Sequence, residues 1–232
     1  MSGHVLVLRP SPGAEATAGR AAALGLRVTT APLFAIRPVA WEVPRADGFD
    51  ALMLTSANAP RHAGRLPAEW LARPAYAVGE ATAMAARAAG FGDIRTGQGD
   101  AQALLAMAHA DGVTSMLHLA GREHRDVAEP AIHVERRVVY AADAVAALPE
   151  AAIRALAGGA VALLHSPRAA RLFATLAGQH DGIAIAAISA AALNDAGPGW
   201  AAATVAARPD DAALLAAAAR LCNDRWQEQD HA

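Results

Sequence analysis

The sequence of 232 residues contains no lysine, and all 20 of its basic residues are arginine. A Schiff-base enzyme and a complete Walker P-loop each need a lysine amine, so both are excluded. Any carboxylate or phosphate ligand must therefore be bound by arginine, by helix N-termini or by backbone amides.

Motifs for metal binding, disulfides and hydrolysis are also lacking. Cys222 is the only cysteine, which excludes a disulfide framework and a cysteine metal site. The histidines lie at no metal-binding spacing, so no metal is expected. No Gly-x-Ser-x-Gly elbow surrounds Ser56 or Ser166, which argues against a hydrolase nucleophile. Residues 97–102 carry two of the three glycines of a dinucleotide loop, and a helix cap is predicted there instead.

Long apolar runs are absent from the sequence. None approaches the roughly 18 residues of a membrane helix, and residues 5–8 are too short a run for a signal peptide. The net charge of −2 argues against a nucleic-acid binder. We therefore expect a cytoplasmic protein that binds neither membrane nor nucleic acid.

Short apolar runs alternate with alanine-rich helical segments along the chain. This alternation is typical of α/β proteins, and 54% hydrophobic residues are enough to build a core. Each half has about five such runs, which predicts two flavodoxin-like doubly wound parallel sheets. Residues 50–61 and 160–171 are similar at an offset of 110 (166 − 56 = 110 for their serines). An internal duplication explains the offset; two generic α/β stretches with similar spacing are the alternative.

Several polar residues follow predicted strands, where ligands bind in open α/β sheets. Ser56 and Ser166 could each cap the next helix or contact a ligand, and both interpretations stay open. Arg9, Arg122 and Arg168 would together suit an anionic ligand, although each alone is also compatible with a solvated surface charge.

Tyr140 is one of two tyrosines and ends an apolar strand beside Asp143. A tyrosine at the edge of a cleft can act as a weak general acid. Composition alone favours a packed ring whose hydroxyl bonds to the backbone. His118 and His165 lie inside apolar strands and are expected to be core or strand-end histidines.

The motifs of this chain resemble those of bacterial uroporphyrinogen-III synthases. The most specific are Thr-Ser-Ala-Asn at 55–58 and Val-Gly-Glu-Ala-Thr-Ala at 78–83. Weaker matches follow in the family's order at residues 5–10, 32–38, 89–91, 99–101, 119–122, 139–140, 165–168 and 188–189. The segment 124–130 and the run Ser189–Ala192 depart from the family pattern.

The resemblance implies two α/β domains joined by a two-stranded linker, with a cleft between them. One domain would be residues 1–33 with 142–232, the other residues 40–133, and the linker strands 34–39 and 134–141. Each domain would take its first two strands from the other's sequence repeat.

The resemblance also implies a reaction and a partner. Family members are lyases that cyclise hydroxymethylbilane, a linear tetrapyrrole polycarboxylate, to uroporphyrinogen III. Water leaves, ring D is inverted, and no cofactor or metal takes part. The expected protein is a monomer of tetrapyrrole biosynthesis that could contact hydroxymethylbilane synthase transiently.

By position in the family, Tyr140 is implied to assist departure of the substrate hydroxyl. This match reverses the preference for a packed ring. The substrate-binding residues, with Arg9 added from its place after a strand, are expected to be Arg9, Thr55, Ser56, Ala57, Asn58, Gly79, Ala81, Thr82, Gly121, Arg122, Ser166, Pro167, Arg168 and Ser189.

Two other functions use the same predicted fold. A non-catalytic tetrapyrrole or small-anion binding protein would bind its ligand without turnover. A nucleotide-dependent transferase or oxidoreductase would need a complete glycine-rich loop, which the sequence lacks.

Overall fold

The computed structural model describes residues 3–97, 99–123 and 129–230, with side chains as far as residue 224. Residues 124–128, most of the segment that departs from the family pattern, lie outside the described residues. The chain divides into two compact units. Unit 1 comprises residues 1–35 and 144–232, and Unit 2 comprises Ile36–Asp143.

Strands and helices alternate along most of the chain. The strands are β1 His4–Val7, β2 Arg27–Thr30, β3 Phe34–Pro38, β4 Ala51–Leu54, β5 Ala75–Val78, β6 Ile94–Gly97, β7 Ser115–Gly121, β8 His133–Ala144, β9 Val161–Leu164, β10 Ala184–Ala187 and β11 Ala202–Val205. The helices are α1 Gly13–Ala23, α2 Asn58–His62, α3 Ala68–Leu71, α4 Glu80–Ala88, α5 Ala101–Ala110, α6 Glu150–Ala157, α7 Pro167–Ala177, α8 Ala190–Ala196 and α9 Asp211–Asp230.

Within the described residues, Unit 1 has a five-stranded sheet in the order β2-β1-β9-β10-β11. All four strand pairs are parallel. Numbered within the unit, the order is 2-1-3-4-5, which is the order of flavodoxin. Such a sheet places the carboxyl ends of its strands at one edge.

Unit 2 carries the order β8-β7-β4-β5-β6, again with parallel neighbours. β3 extends this sheet beyond β8. The amide of Val39 bonds to the carbonyl of Val139, and that of Val145 to Leu33, so β3 runs antiparallel to β8. Two extended segments, rather than helices, therefore lie where the chain passes between the units.

The two sheets have the same internal order. β4 and β9 occupy the central position and are separated by 110 residues (161 − 51 = 110). β5 and β6 follow β4 as β10 and β11 follow β9. Beside them lie β7 and β8 in Unit 2 and β1 and β2 in Unit 1, so each unit joins three strands of one half to two strands of the other.

Both faces of the Unit 2 sheet are covered. Leu52 and Leu54 on β4 pack with Trp70 on one face, and Met53 packs with Leu104 on the other. Alternate residues of a strand point to opposite faces, so a strand covered on both must be apolar throughout. The unbroken apolar runs of the sequence arise from this arrangement.

Two helix boundaries differ from the sequence pattern, which predicts a helix from residue 147 and a frayed tail after residue 222. α6 begins only after Pro149, because a proline restricts the residue before it and lacks an amide hydrogen. α9 continues to Asp230. Among the described residues, no helix is long and apolar enough to cross a membrane.

Candidate functional site

The predicted site residues of Unit 2 lie at the carboxyl edge of its sheet. Residues 55–58 follow β4, Gly79 follows β5, and Gly121 ends β7. β4 is hydrogen-bonded to both β5 and β7, so these segments are neighbours along the edge. The sheet therefore brings together residues that are up to 85 positions apart (140 − 55 = 85), including Tyr140 on β8.

Tyr140 packs its phenol directly against Gly121. The two residues are partners in the β7–β8 ladder, at a register irregularity between Ala120 and Gly121. The amide of Arg122 donates to the carbonyl of Tyr140 at 2.9 Å. The ring of His62 approaches with its centroid 6.3 Å from that of Tyr140.

The hydroxyl of Tyr140 accepts and donates no hydrogen bond among the groups that the structure describes. The hydroxyl of Tyr76, the other tyrosine, donates to Asp111 at 2.8 Å and lies 2.9 Å from Arg95. Burial and the bond to Asp111 raise the pKa of Tyr76 to about 12. Tyr76 therefore has a structural role. The Tyr140 phenol lies at the carboxyl edge of the Unit 2 sheet, where its hydroxyl is available to a ligand.

His62 lies beside the phenol in its neutral form. Burial lowers the pKa of this imidazole below its ordinary value, and the charge of Arg61 lowers it further. At neutral pH the ring is therefore an uncharged neighbour of Tyr140, and the sequence pattern gave no reason to select it.

The loop after β4 is held by one contact to the neighbouring strand β7 and by one hydrogen bond within the loop. Oγ1 of Thr55 lies 3.0 Å from Nε2 of His118, a strand histidine with 1% of its surface exposed. Oγ of Ser56 accepts the amide of Asn58 at 3.2 Å. The Ser56 hydroxyl oxygen therefore has a structural role at the start of α2.

The segment after β5 forms a tight entry to α4. Gly79 has φ 73°, in the region that favours glycine, and its amide donates to the carbonyl of Gly97. Thr82 is buried, while Ala81 is exposed on the first turn. Any ligand contact of this segment would therefore use backbone groups rather than the Thr82 side chain.

Asp143 on β8 pairs with two arginines. Its Oδ2 accepts Nε of Arg37, and its Oδ1 lies 3.5 Å from Nη1 of Arg122. About half of each of the three side chains is exposed. Arg122 is an expected substrate-binding residue. The structure places Arg37, which is 85 positions earlier in the sequence (122 − 37 = 85), on the same carboxylate.

The predicted residues of Unit 1 lie at the carboxyl edge of its own sheet. Ser166 follows β9 and accepts the amide of Ala169 at 3.2 Å, and Ser189 follows β10 and accepts the amide of Ala192 at 3.3 Å. Both serines therefore cap helices. The guanidinium of Arg168 lies 4.3 Å above the ring of Phe34, a cation–π contact.

Arg9 joins a polar cluster centred on Asp211, the first residue of α9. The carboxylate of Asp211 accepts the hydroxyl of Thr17 at 2.8 Å and Nε of Arg20 at 2.6 Å. It lies 2.9 Å from Nε2 of His165 and 3.6 Å from Nη1 of Arg9. The predicted cation at this edge is thus accompanied by a carboxylate that the sequence did not single out.

The Asp211 carboxylate is ionised in this cluster. Burial alone would raise its pKa, but hydrogen bonds from His165, Arg20 and Thr17 outweigh burial and hold the pKa well below the ordinary value. Only 13% of the side chain is exposed. Asp211 therefore acts as a fixed negative centre that orients its cationic and imidazole neighbours.

Comparison with known proteins agrees with this fold. The family model described as uroporphyrinogen-III synthase HemD matches residues 15–216. The chain belongs to this family. Uroporphyrinogen-III synthases are enzymes of tetrapyrrole biosynthesis. A search of curated proteins found no match.

Two solved uroporphyrinogen-III synthases have a similar fold. The uroporphyrinogen-III synthetase of Helicobacter pylori superposes with a TM-score of 0.63 at 18% identity, covering 93% of this chain and 97% of its own. A mutant uroporphyrinogen III synthase of Thermus thermophilus gives 0.53 at 17% identity, covering 97% and 100%. At such identities the similarity establishes the fold alone.

Proposed function

We propose that the chain is a lyase that converts hydroxymethylbilane into uroporphyrinogen III, with loss of water and inversion of ring D. Family membership supports the reaction. The observation that carries the assignment of residues is the Tyr140 phenol, which lies at the carboxyl edge of Unit 2 without a hydrogen bond from any described group.

Tyr140 would act as general acid in the first step. Its phenol donates a proton to the hydroxyl of the substrate's hydroxymethyl group, the carbon–oxygen bond breaks, and water leaves. Ring D attacks the resulting azafulvene cation through the carbon that already carries its bridge, which forms the spiro intermediate. The old bridge bond then breaks and re-forms at the free carbon of ring D, and this inverts the ring. Because the overall reaction loses only water, the proton released as the product forms returns to the phenolate.

The substrate carboxylates would be held by arginine and backbone amides, since the chain has no lysine. In Unit 2 these groups include Arg122 and the first free amides of α4, which a helix cannot satisfy internally. In Unit 1 they include Arg9, Arg168 and the first free amides of α8, which follow Ser189. The remaining expected contacts, from Thr55 to Asn58, would shape the edge beside the phenol.

Selectivity would come from holding the bilane in one conformation. Free hydroxymethylbilane closes without inversion to the type I isomer. An enzyme that keeps the two ends at a fixed geometry makes the inverting path effectively intramolecular, and such positioning can supply about 7–11 kcal/mol of a barrier. We propose a monomer, with hydroxymethylbilane synthase as a transient supplier of substrate.

The decisive experiment adds the purified protein to freshly generated hydroxymethylbilane and separates the uroporphyrinogen isomers. We expect the type III isomer in excess, and heat-denatured protein should give type I alone. Type I alone from the native protein would contradict the proposal. If a bilane analogue stabilises the protein against unfolding but no type III product forms, the protein is instead a non-catalytic binding protein.

A further inference from the structure

We propose that Gly121 is a positioning residue for Tyr140, because the space left by its missing side chain is the seat of the phenol. This inference rests on the proposed role of Tyr140 as proton donor. It gives Gly121 a different task from the substrate contact expected from the sequence.

The seat is defined by three short distances. A Cβ atom built on Gly121 would lie 2.6 Å from Cζ of Tyr140, 2.8 Å from its hydroxyl oxygen and 2.9 Å from Cε2. Carbon atoms in contact normally lie about 3.5–4.0 Å apart. Alanine at this position therefore cannot coexist with the phenol where it now lies.

Backbone conformation is not the reason for glycine at this position. Gly79 and Gly90 have positive φ values, but Gly121 does not. It lies in β7, where glycine weakens a strand and often marks the close approach of another group. The group that approaches Gly121 is the part of Tyr140 proposed to carry the proton.

If a methyl group is added at residue 121, the Tyr140 phenol has to move, because the backbones of both strands are held in place. Gly121 and Tyr140 are ladder partners, and the amide of Arg122 bonds to the Tyr140 carbonyl. Val139 and Ala141, on either side of Tyr140, are fully buried. The backbone is therefore fixed on both strands, and a methyl group on residue 121 must turn the half-buried ring away from its present position.

Displacement of the phenol should lower the rate of the chemical step more than it lowers the affinity for the substrate. Misplacement of a reacting group by about 1 Å can cost on the order of 100-fold in rate. Most of the carboxylate-binding groups proposed at the edge lie on other segments, and the backbone of the adjacent Arg122 is held by its amide bond to the Tyr140 carbonyl. We expect Gly121→Ala to lower kcat by about 100-fold while KM changes less than about threefold.

Gly48→Ala is the matched control in the same unit. A Cβ atom on Gly48 meets nothing within 4 Å, and its backbone φ is not in the positive region. This variant should keep wild-type kcat and KM. Wild-type kcat in Gly121→Ala would overturn the inference.

A double-mutant cycle tests whether Gly121 acts through the Tyr140 hydroxyl. Gly121→Ala should lower kcat strongly in the wild-type protein and by less than about twofold in a Tyr140→Phe background, because the hydroxyl is already gone. An equal loss of kcat in both backgrounds would show that Gly121 does not act through the Tyr140 hydroxyl, and it would overturn the inference. This result does not depend on how much activity Tyr140→Phe retains, provided that some loss occurs.

Fluorine NMR tests the seat without reference to activity. With 3-fluorotyrosine incorporated, the protein should give signals from Tyr76 and Tyr140, assigned with Tyr140→Phe. Gly121→Ala should move the Tyr140 signal and leave that of Tyr76, which is buried and bonded to Asp111. An unchanged Tyr140 signal would contradict the inference that the space at Gly121 holds the phenol. This outcome can be read even if the isomer assay has already excluded the proposed reaction.

If Gly121→Ala does not fold, the clash can be tested by removing the ring. Gly121→Ala combined with Tyr140→Leu should then fold, because leucine lacks the ring atoms that the new Cβ would meet. Failure of this double variant to fold, while Tyr140→Leu alone folds, would overturn the inference.

Discussion

Nε2 of His165 lies 2.9 Å from Oδ1 of Asp211, and this contact joins the end of β9 to the start of α9. The same carboxylate holds Thr17 and Arg20 on α1. One side chain thus links three elements of Unit 1 at the edge where Arg9 lies.

Asp211→Asn should lower the free energy of unfolding by roughly 2 kcal/mol, because the partners of a buried charge lose their counter-charge. Urea unfolding at pH 7 measures the change. Asp47→Asn, at an exposed pair with Arg45, should leave the midpoint unaltered. An unaltered midpoint for Asp211→Asn would show that the cluster does not stabilise Unit 1.

The contribution of Asp211 should also depend on pH. The folded-state pKa lies below the unfolded value of about 3.9, so the stabilisation is complete above that value and declines as pH falls towards the folded pKa. The difference in stability between wild type and Asp211→Asn should be equal at pH 6 and 7 and smaller below pH 4. A difference that stays constant down to pH 3 would contradict the lowered pKa.

Tyr140→Phe should lower turnover by about 100-fold to 10,000-fold, the usual range for loss of a general acid, and leave the fold intact. Tyr76→Phe is the natural control, because Tyr76 bonds to Asp111 and lies in the core. It should lose about 1 kcal/mol of stability and keep its turnover per folded molecule. Wild-type turnover by Tyr140→Phe would remove this tyrosine from the mechanism.

Asp143→Ala should lower KM for the polycarboxylate substrate, because Asp143 competes with substrate carboxylates for Arg37 and Arg122. The effect should weaken as salt is raised, since these side chains are half exposed. Asp47→Ala makes the same change in net charge away from this edge and should leave KM unaltered. A higher KM for Asp143→Ala would show that Asp143 orients the arginines for binding rather than competing for them.

Ser166→Ala should lower stability by about 1 kcal/mol, the usual effect of losing an N-cap on α7. Ser166→Asn should restore most of this loss, because asparagine is an equally good cap. Both variants should keep the wild-type KM if the serine oxygen serves only as a cap. A large rise in KM for Ser166→Asn, at wild-type stability, would show that the hydroxyl contacts the substrate.

The strand edges could be predicted because local chemistry defines them. Runs such as residues 51–54 are apolar because both sheet faces are covered, and serine or glycine follows where the next helix begins. The cap at Asp210 was also predictable, and Ala213 donates to it at 2.8 Å. A role for Tyr140 is indicated by the family resemblance and not by composition.

The partners of the site residues could not be predicted, because they depend on long-range geometry. Asp211 follows the cap by one residue, a rotation of about 100° on a helix, and so faces His165 instead. Arg37 and Asp143 are 106 positions apart (143 − 37 = 106) and meet only through strand pairing. The space at Gly121 depends on the register of β8, which a single sequence does not reveal.

Each sheet combines strands from distant parts of the chain, and this has a consequence for synthesis on the ribosome. Every strand of the Unit 2 sheet has been made once residue 144 is added, whereas β1 and β2 of Unit 1 must wait for β9, β10 and β11. At least 61 more residues are needed to reach the end of β11 (205 − 144 = 61), which takes roughly 3 to 12 s at about 5–20 residues per second. We therefore expect Unit 2 to fold first during synthesis. The segment with β1 and β2 should stay unfolded, and open to chaperone binding, until β9, β10 and β11 have been made.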